Sequence, residues 1–224
     1  MECAAGVVLG GGMAKLTYNP SVFEARDLEA ARRIILTTER DQTTDLRWER
    51  ETPYLADLLG KALNLKLGQT VIDYGCGVGR LSKALMEQFN CRVVGVDISE
   101  QMRSLAPGYV GWPAFSAVSP QTLDQMIADG FQGDAAISVW VLQHCVTPQD
   151  DIARLRRALP DGAPLGLVNM RGRAVPTQER GWASDGLDVD TLVRAQFPDG
   201  RTEGLDPGVV GDHIASFSYW GVYR

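Results

Sequence analysis

The residues best placed to do chemistry are a run of glycines and the acids around it. Val71-Ile72-Asp73-Tyr74-Gly75-Cys76-Gly77-Val78-Gly79-Arg80 is followed by Val93-Val94-Gly95-Val96-Asp97. The pattern reads as a buried strand, a glycine turn, a helix, and a second buried strand ending in an acid. Such a unit builds a nucleoside-cofactor pocket at the carboxyl edge of a parallel sheet. A dinucleotide fingerprint needs G-x-G-x-x-G, and Arg80 stands where its third glycine would fall. Asp73, two residues before Gly75, would set like charge against a diphosphate. A carboxylate there suits a cofactor that carries an ammonium group.

Asp-x-Gly-x-Gly-x-Gly, with an acid about twenty residues on, resembles the first two motifs of the class I S-adenosylmethionine-dependent methyltransferases, of the type acting on small molecules. The resemblance covers roughly residues 68 to 170. It implies S-adenosyl-L-methionine as cofactor, leaving as S-adenosyl-L-homocysteine. It also implies that Asp73, Gly75, Cys76, Gly77 and Gly79 form the loop under the methionine part, while Asp97 holds the ribose hydroxyls. Ile98 and Met102 match the apolar groups beside the adenine, although both also suit plain core packing. Where the family places an acid for the adenine amino group, the nearest match is Ser119, which reads equally well as a helix cap. Val139 and Trp140 are expected as walls around the methionine part. Tyr54 or Trp48, in Arg47–Tyr54, is expected near the same end; the alternative is a solvated charged helix with Trp48 docked in the core.

Two histidines are candidates for general-base work, since imidazole titrates near neutrality. His144 closes Val139-Trp140-Val141-Leu142-Gln143-His144, which resembles the fourth strand of small-molecule methyltransferases, where this histidine is frequently structural. His213, in Gly211-Asp212-His213, falls where the family often has an acceptor-side loop. Arg171 and Arg173 could clamp an acceptor carboxylate or phosphate, or form a solvated basic loop. No His/Cys/Asp cluster has metal-ligand spacing, so no metal is expected.

Elements that would position these residues follow from the punctuation. Ser21-Val22-Phe23-Glu24 reads as a capping box ahead of a helix with Leu28, Ala31, Ile34 and Ile35 on one face. Thr52-Pro53 reads as the start of a second helix carrying Leu55, Leu58, Leu59 and Leu63. Strands are expected over 70–74, 91–96, 113–118, 135–140 and 164–169, alternating with helices, and the aromatic run 215–223 alternates as a terminal strand. Five βα units in order imply an α/β fold with a doubly wound, mostly parallel, Rossmann-like sheet. By family resemblance the last strand inserts antiparallel. The domain reading is a helical N-terminal extension or lid over 1–67 and a methyltransferase core over 68–224.

The chain has 224 residues, enough for one α/β domain with additions. Its net charge of −6 leaves no broad basic surface for phosphates, which argues against a nucleic-acid substrate. The apolar, glycine-rich stretch Met1–Gly12 lacks a basic region and no long apolar run follows, so neither a signal peptide nor a membrane span is expected. Cys3, Cys76, Cys91 and Cys145 show no C-x-x-C spacing, as expected of free thiols in a cytoplasmic protein. The leading functional expectation is O- or N-methylation of a small-molecule acceptor. Peptide or protein side-chain methylation stands as an alternative, as do a catalytically silent cofactor-binding subunit and an NAD(P)-dependent oxidoreductase. Monomer and homodimer both stay open.

Overall fold

The structure is a computed structural model and describes residues 6–7, 16–40 and 42–224. Most of the glycine-rich start, with Cys3, lies outside the described residues. In chain order the elements begin with β1 (Gly6–Val7), β2 (Leu16–Thr17), a 3-10 turn (Pro20–Phe23), α1 (Leu28–Ile35) and α2 (Thr44–Ala62). The alternating part is β3 (Thr70–Tyr74), α3 (Arg80–Phe89), β4 (Arg92–Val96), α4 (Glu100–Val110), β5 (Phe115–Val118), α5 (Pro120–Ala128), β6 (Ala135–Val139), α6 (Pro148–Arg157) and β7 (Leu165–Met170). Then come β8 (Val175–Thr177), β9 (Gly181–Ala183), α7 (Val189–Gln196), β10 (Gly200–Glu203), α8 (Pro207–Val210), α9 (Asp212–Phe217) and β11 (Ser218–Tyr223).

Seven strands form the main sheet in the order β10-β11-β7-β6-β3-β4-β5. β11 runs antiparallel to both β7 and β10, and the remaining pairs are parallel, so β11 alone opposes the other six. This is the mostly parallel Rossmann-like sheet with an antiparallel C-terminal strand. The chain winds outward from β3 to β4 and β5, then returns to place β6 on the other side of β3. That reversal opens a crevice beyond the strand ends, where ligands bind in such sheets.

The central strands are apolar on both faces because helices cover both. On one side Leu55, Leu59 and Leu63 of α2 and its end pack with Leu81 and Leu85 of α3, Val71 and Val168. On the other, Ile152 and Leu155 of α6 and Val193 of α7 pack with Ile72, Ala136 and Leu167. Gly60 lets α2 approach α3 closely; a Cβ there would lie 2.1 Å from the Phe89 ring. α2 is thus part of the layer that covers the sheet.

Several boundaries depart from the sequence expectations. The cap of α1 is Asp27, whose carboxylate accepts the amide of Ala30 at 2.8 Å; Ser21 lies in the preceding 3-10 turn. Asp27 wins because it stands immediately before the apolar-periodic stretch, as a cap must. α2 starts at a Thr43 cap and runs through Pro53. Proline removes one helical hydrogen bond, but the fully buried Leu55, Ala56 and Leu59 hold the helix together, and the Thr52 hydroxyl donates back to the Trp48 carbonyl. α4 likewise continues through Pro107 and stops at Gly111, φ +71°. The terminal strand begins at Ser218, because 212–217 forms α9. The β8–β9 hairpin and edge strand β10 were not foreseen: Gly-Arg-Thr-Glu has no apolar alternation to announce a strand.

Candidate active site

A cleft of about 760 Å³ opens over the carboxyl ends of β3, β4 and β6, at the point where the strand order reverses. Gly75, Gly77, Asp97, Ile98, Met102, Val139 and Trp140 lie on its wall. The sheet brings these seven sequence-predicted residues, spread over 66 positions, to one place.

The turn after β3 is held by its neighbour β4. The amides of Gly75 and Cys76 both donate to the Val96 carbonyl, at 2.6 and 3.0 Å. Gly75 has φ +80°, and a Cβ would meet Val141 at 2.1 Å, so the loop requires glycine on both counts. Gly77 has φ +54° and its Cβ position lies 2.7 Å from Ile35 of α1. Asp97 ties the two motifs together: its Oδ2 accepts the Gly77 amide at 2.8 Å and its Oδ1 the Ser99 amide at 2.9 Å. Burial raises the Asp97 pKa, against the pull of the Ser99 and Gly77 amides. A carboxylate has about four acceptor sites, so two backbone bonds leave capacity toward the half-buried, cleft-facing side. A glycine cradle that a Cβ would fill, beside a carboxylate with spare lone pairs, suits an adenosine with its ribose diol.

Asp73 and Cys76 lie below this floor. Asp73 is 2% exposed and does not line the cleft. It accepts the Ser82 hydroxyl at 2.6 Å, and burial lifts its pKa to about 6 despite that bond and the nearby Arg80. The contact with a cofactor ammonium expected from sequence is therefore not what this buried carboxyl offers; it supports the loop from beneath. Cys76 is buried with its thiol against the Gly77 carbonyl at 3.4 Å, and burial drives its pKa well up, which leaves it inert. Gly79 sits behind the loop, where a Cβ would strike Val110 at 2.4 Å.

Arg80 explains itself in three dimensions. Its guanidinium is buried, donates to the Thr52 hydroxyl at 3.1 Å and lies over the Trp48 ring. Desolvation lowers its pKa to about 10, opposed chiefly by Glu51. Glu51 in turn is fully buried and bonds Arg47 through two oxygens, at 2.6 and 3.3 Å. Trp48 packs in the core beneath α1, its indole N–H bonded to the Tyr109 hydroxyl at 3.2 Å. Tyr54 points the other way along α2: its hydroxyl accepts the Asp206 amide at 3.0 Å, and it is absent from the cleft wall. The expectation for Tyr54 at the methionine end is thus corrected, because the helix turns that position toward α8.

On the β6 side, Trp140 holds φ +61°, in the left-handed region that a bulky residue rarely adopts. Such strain gathers at functional sites. Its indole N–H has no hydrogen-bond partner among the described residues. His144 lines the cleft, but both ring nitrogens are engaged. Nδ1 lies 2.6 Å from the Ala174 carbonyl and so must carry the proton; Nε2 then accepts from the Gln143 amide at 3.1 Å. Burial lowers its pKa, opposed by the Ala174 bond. Arg173, far from a free clamp, is buried in a two-bond pair with Asp185 and donates to the Leu142 carbonyl at 2.9 Å. Together these contacts fasten the segment after β7 to the loop after β6.

The remaining candidates stand off the cleft wall. Ser119 caps α5 by accepting the Thr122 amide at 3.0 Å, and only its neighbour Pro120 reaches the cleft. His213 packs edge-on against Phe217, with Nε2 3.8 Å from a Glu39 carboxylate oxygen. Arg171 lies over the Tyr219 ring, outside the cleft. Among the described residues no three His, Cys, Asp or Glu side chains gather as a metal site.

Sequence reasoning missed the roof. Residues 16–19 pair with the β8–β9 hairpin through a Tyr18–Thr177 bridge and an Asn19 amide bond to the Pro176 carbonyl. Tyr18, its pKa raised by burial, and Phe23 thereby reach the cleft, with Ile34 and Ile35 of α1 beside them and Trp182 of β9 opposite. The one available signal was a tryptophan in a polar, glycine-containing stretch.

Fold and site together define an α/β domain with a cleft suited to a nucleoside cofactor. Residues 72–165, somewhat under half of the chain, match the family described as "Methyltransferase domain". It is 28% identical over 139 residues to a tRNA U34 carboxymethyltransferase of Alcanivorax borkumensis, covering 59% of this chain and 39% of that one. It is 32% identical over 117 residues to an N-demethylindolmycin N-methyltransferase of Streptomyces griseus, covering 48% and 47%. The chain thus spans less than half the length of either relative. Magnesium protoporphyrin IX methyltransferase from Synechocystis PCC 6803, with bound SAH, shares the fold at a TM-score of 0.62 and 21% identity, covering 91% of this chain and 97% of that one.

Proposed function

We propose that this chain transfers a methyl group from S-adenosyl-L-methionine to a small-molecule acceptor. The observation that carries this reading is Asp97, held by the Gly77 and Ser99 amides so that one carboxylate joins the glycine loop to the ribose position. When bound, the cofactor supplies a methyl on a sulfonium, already activated for attack. The residues then need only position and enclose. Gly75 and Gly77 form the floor, Asp97 holds the ribose, Ile98 and Met102 flank the adenine, and Val139 and Trp140 wall the methionine end. Asp73, Cys76 and Gly79 shape the loop from behind. Bound there, the cofactor would supply its methyl to an acceptor lone pair aligned by these residues, and a protic acceptor would lose its proton to water. Alignment alone is worth several kcal/mol, and the engaged nitrogens of His144 fit a reaction without a dedicated base.

Within the division at residue 67, the lid role falls to the 3-10 turn and α1, since α2 is part of the sheet's cover. Supporting a small acceptor over RNA are the net charge of −6 and, among the described residues, the lack of an unpaired arginine or lysine on the cleft wall, where Arg47 is paired with Glu51 and Arg33 with Glu29. The relative named for tRNA makes RNA the second reading. Among the described residues no helix is long and apolar enough to cross a membrane, and Cys76, Cys91 and Cys145 are free thiols; both accord with a cytoplasmic location. Calorimetric titration of SAM and SAH into wild type and Asp97→Ala tests the proposal. Loss of a charge-accepted bond costs about 1.5–3 kcal/mol, so affinity should drop by roughly ten- to a hundredfold. Absence of binding to wild type would overturn it.

A further inference from the structure

Resting on the methyltransferase reading, the structure assigns the acceptor to a chemical class: we infer a flat aromatic molecule that carries no phosphate or carboxylate and bears one polar group that both donates and accepts. Three observations carry this. The cleft wall opposite the cofactor floor holds a contiguous cluster of rings drawn from three separate segments. Phe23 comes from the 3-10 turn, His144 from the loop after β6, and Trp182 from β9. Their centroids are 5.9 Å apart for Phe23 and His144, 6.2 Å for Phe23 and Trp182, and 5.1 Å for His144 and Trp182. At these separations the rings touch one another and leave no cage for an ammonium between them. What they offer is a face, and Trp182 remains 56% exposed at the cleft. An exposed tryptophan on a binding wall is a stacking surface in search of a planar partner.

The arginines lining the cleft, Arg33 and Arg47, are paired with carboxylates. Arg33 pairs with Glu29, Arg47 with Glu51 and Asp151 with Arg154, each within 3 Å. Glu39 accepts from the Thr37 hydroxyl at 3.3 Å and faces His213. Among the described residues no unpaired arginine or lysine on this wall stands ready for a phosphate or carboxylate. Asp97, the carboxylate with capacity left, belongs to the cofactor end.

Two polar atoms on cleft-lining residues are buried and lack partners among the described residues: the indole N–H of Trp140 and Oε1 of Gln143, a residue 1% exposed. One is a donor and the other an acceptor. Unsatisfied buried groups are rare and costly, and a hydroxyl, which both donates and accepts, is the group that can partner either one. Amines carrying a phosphate would satisfy neither the ring face nor the paired charges.

The test separates this inference from the reading beneath it. SAH is titrated first into wild type, Trp182→Ala and Phe23→Ala by calorimetry; binding to wild type establishes the cofactor site, and matching circular dichroism spectra and melting temperatures establish intact folds. 2-Naphthol, phosphoethanolamine and a short tRNA anticodon-loop RNA are then titrated into each SAH-loaded protein. Binding of 2-naphthol to wild type, weakened about two- to tenfold in both variants, is expected, since aromatic pairing is worth about 0.5–1.5 kcal/mol beyond area burial. Binding of phosphoethanolamine or RNA but not 2-naphthol would overturn the aromatic class while leaving methyl transfer standing. 2-Naphthol binding unchanged in both variants would remove the ring cluster as its seat. Failure of SAH to bind would instead strike the methyltransferase reading itself.

Discussion

Replacing Asp73 by asparagine should make the protein more stable at neutral pH, against the usual result of altering a buried polar residue. The carboxyl is 2% exposed and its pKa is lifted to about 6 from 3.8, chiefly by burial. Because the folded state holds this proton more tightly than the unfolded chain, the group favours folding in acid. Between about pH 4 and 6 the unfolded chain has released the proton and the folded state has not. Stability therefore falls as pH rises through that window, and the loss is complete above about pH 6. From about 1.4 kcal/mol per tenfold difference in proton affinity, the ionised carboxylate costs the fold up to about 3 kcal/mol. Asparagine keeps an oxygen to accept the Ser82 hydroxyl and removes the titration. Arg80 retains Thr52 and Glu51 as partners. Urea unfolding of wild type and Asp73→Asn at about pH 4.5 and about pH 8 isolates the effect as a double difference. The variant should gain about 1–3 kcal/mol on wild type between the two conditions. Equal pH dependence in both proteins would refute the argument, and so would a variant less stable at the higher pH.

Two further outcomes follow from the geometry of the loop and of His144. Gly75→Ala forces a side chain into φ +80° and against Val141 at 2.1 Å, which should cost about 2 kcal/mol or more in unfolding and weaken SAH binding. Adding Val141→Ala should recover only part of the loss, because the dihedral penalty remains; full recovery would show that contact alone demanded glycine. His144→Asn keeps a donor for the Ala174 carbonyl, so stability should fall by less than about 1.5 kcal/mol and the pH profile of turnover should keep its shape. A turnover loss of about a hundredfold or more with altered pH dependence would make His144 a base.

The cofactor end of this protein was legible in the sequence because it is built from local chemistry. Gly75, Gly77 and Asp97 carry their meaning in residue type and spacing: a turn with positive φ, and an acid at the next strand end. The sheet follows from apolar strands alternating with amphipathic helices, and even the antiparallel last strand was foreseen through resemblance. Residue types did not reveal direction. Tyr54 and Ser119 have plausible chemistry, yet α2 turns one toward Asp206 and α5 uses the other as its cap. Asp73 lies a strand's pleat below the cleft floor, a fact fixed by packing against Ser82 and Arg80. The roof of the cleft was the least legible part, since Tyr18, Phe23, Trp182 and Phe217 come from segments up to about two hundred residues apart that share no motif. Long-range contacts such as the Tyr18–Thr177 bridge, the Asn19–Pro176 bond and the Arg173–Asp185 pair bring the first three to one cleft. Local pattern fixes what the backbone does within a turn or two, whereas long-range pairing decides which side chains face the same space.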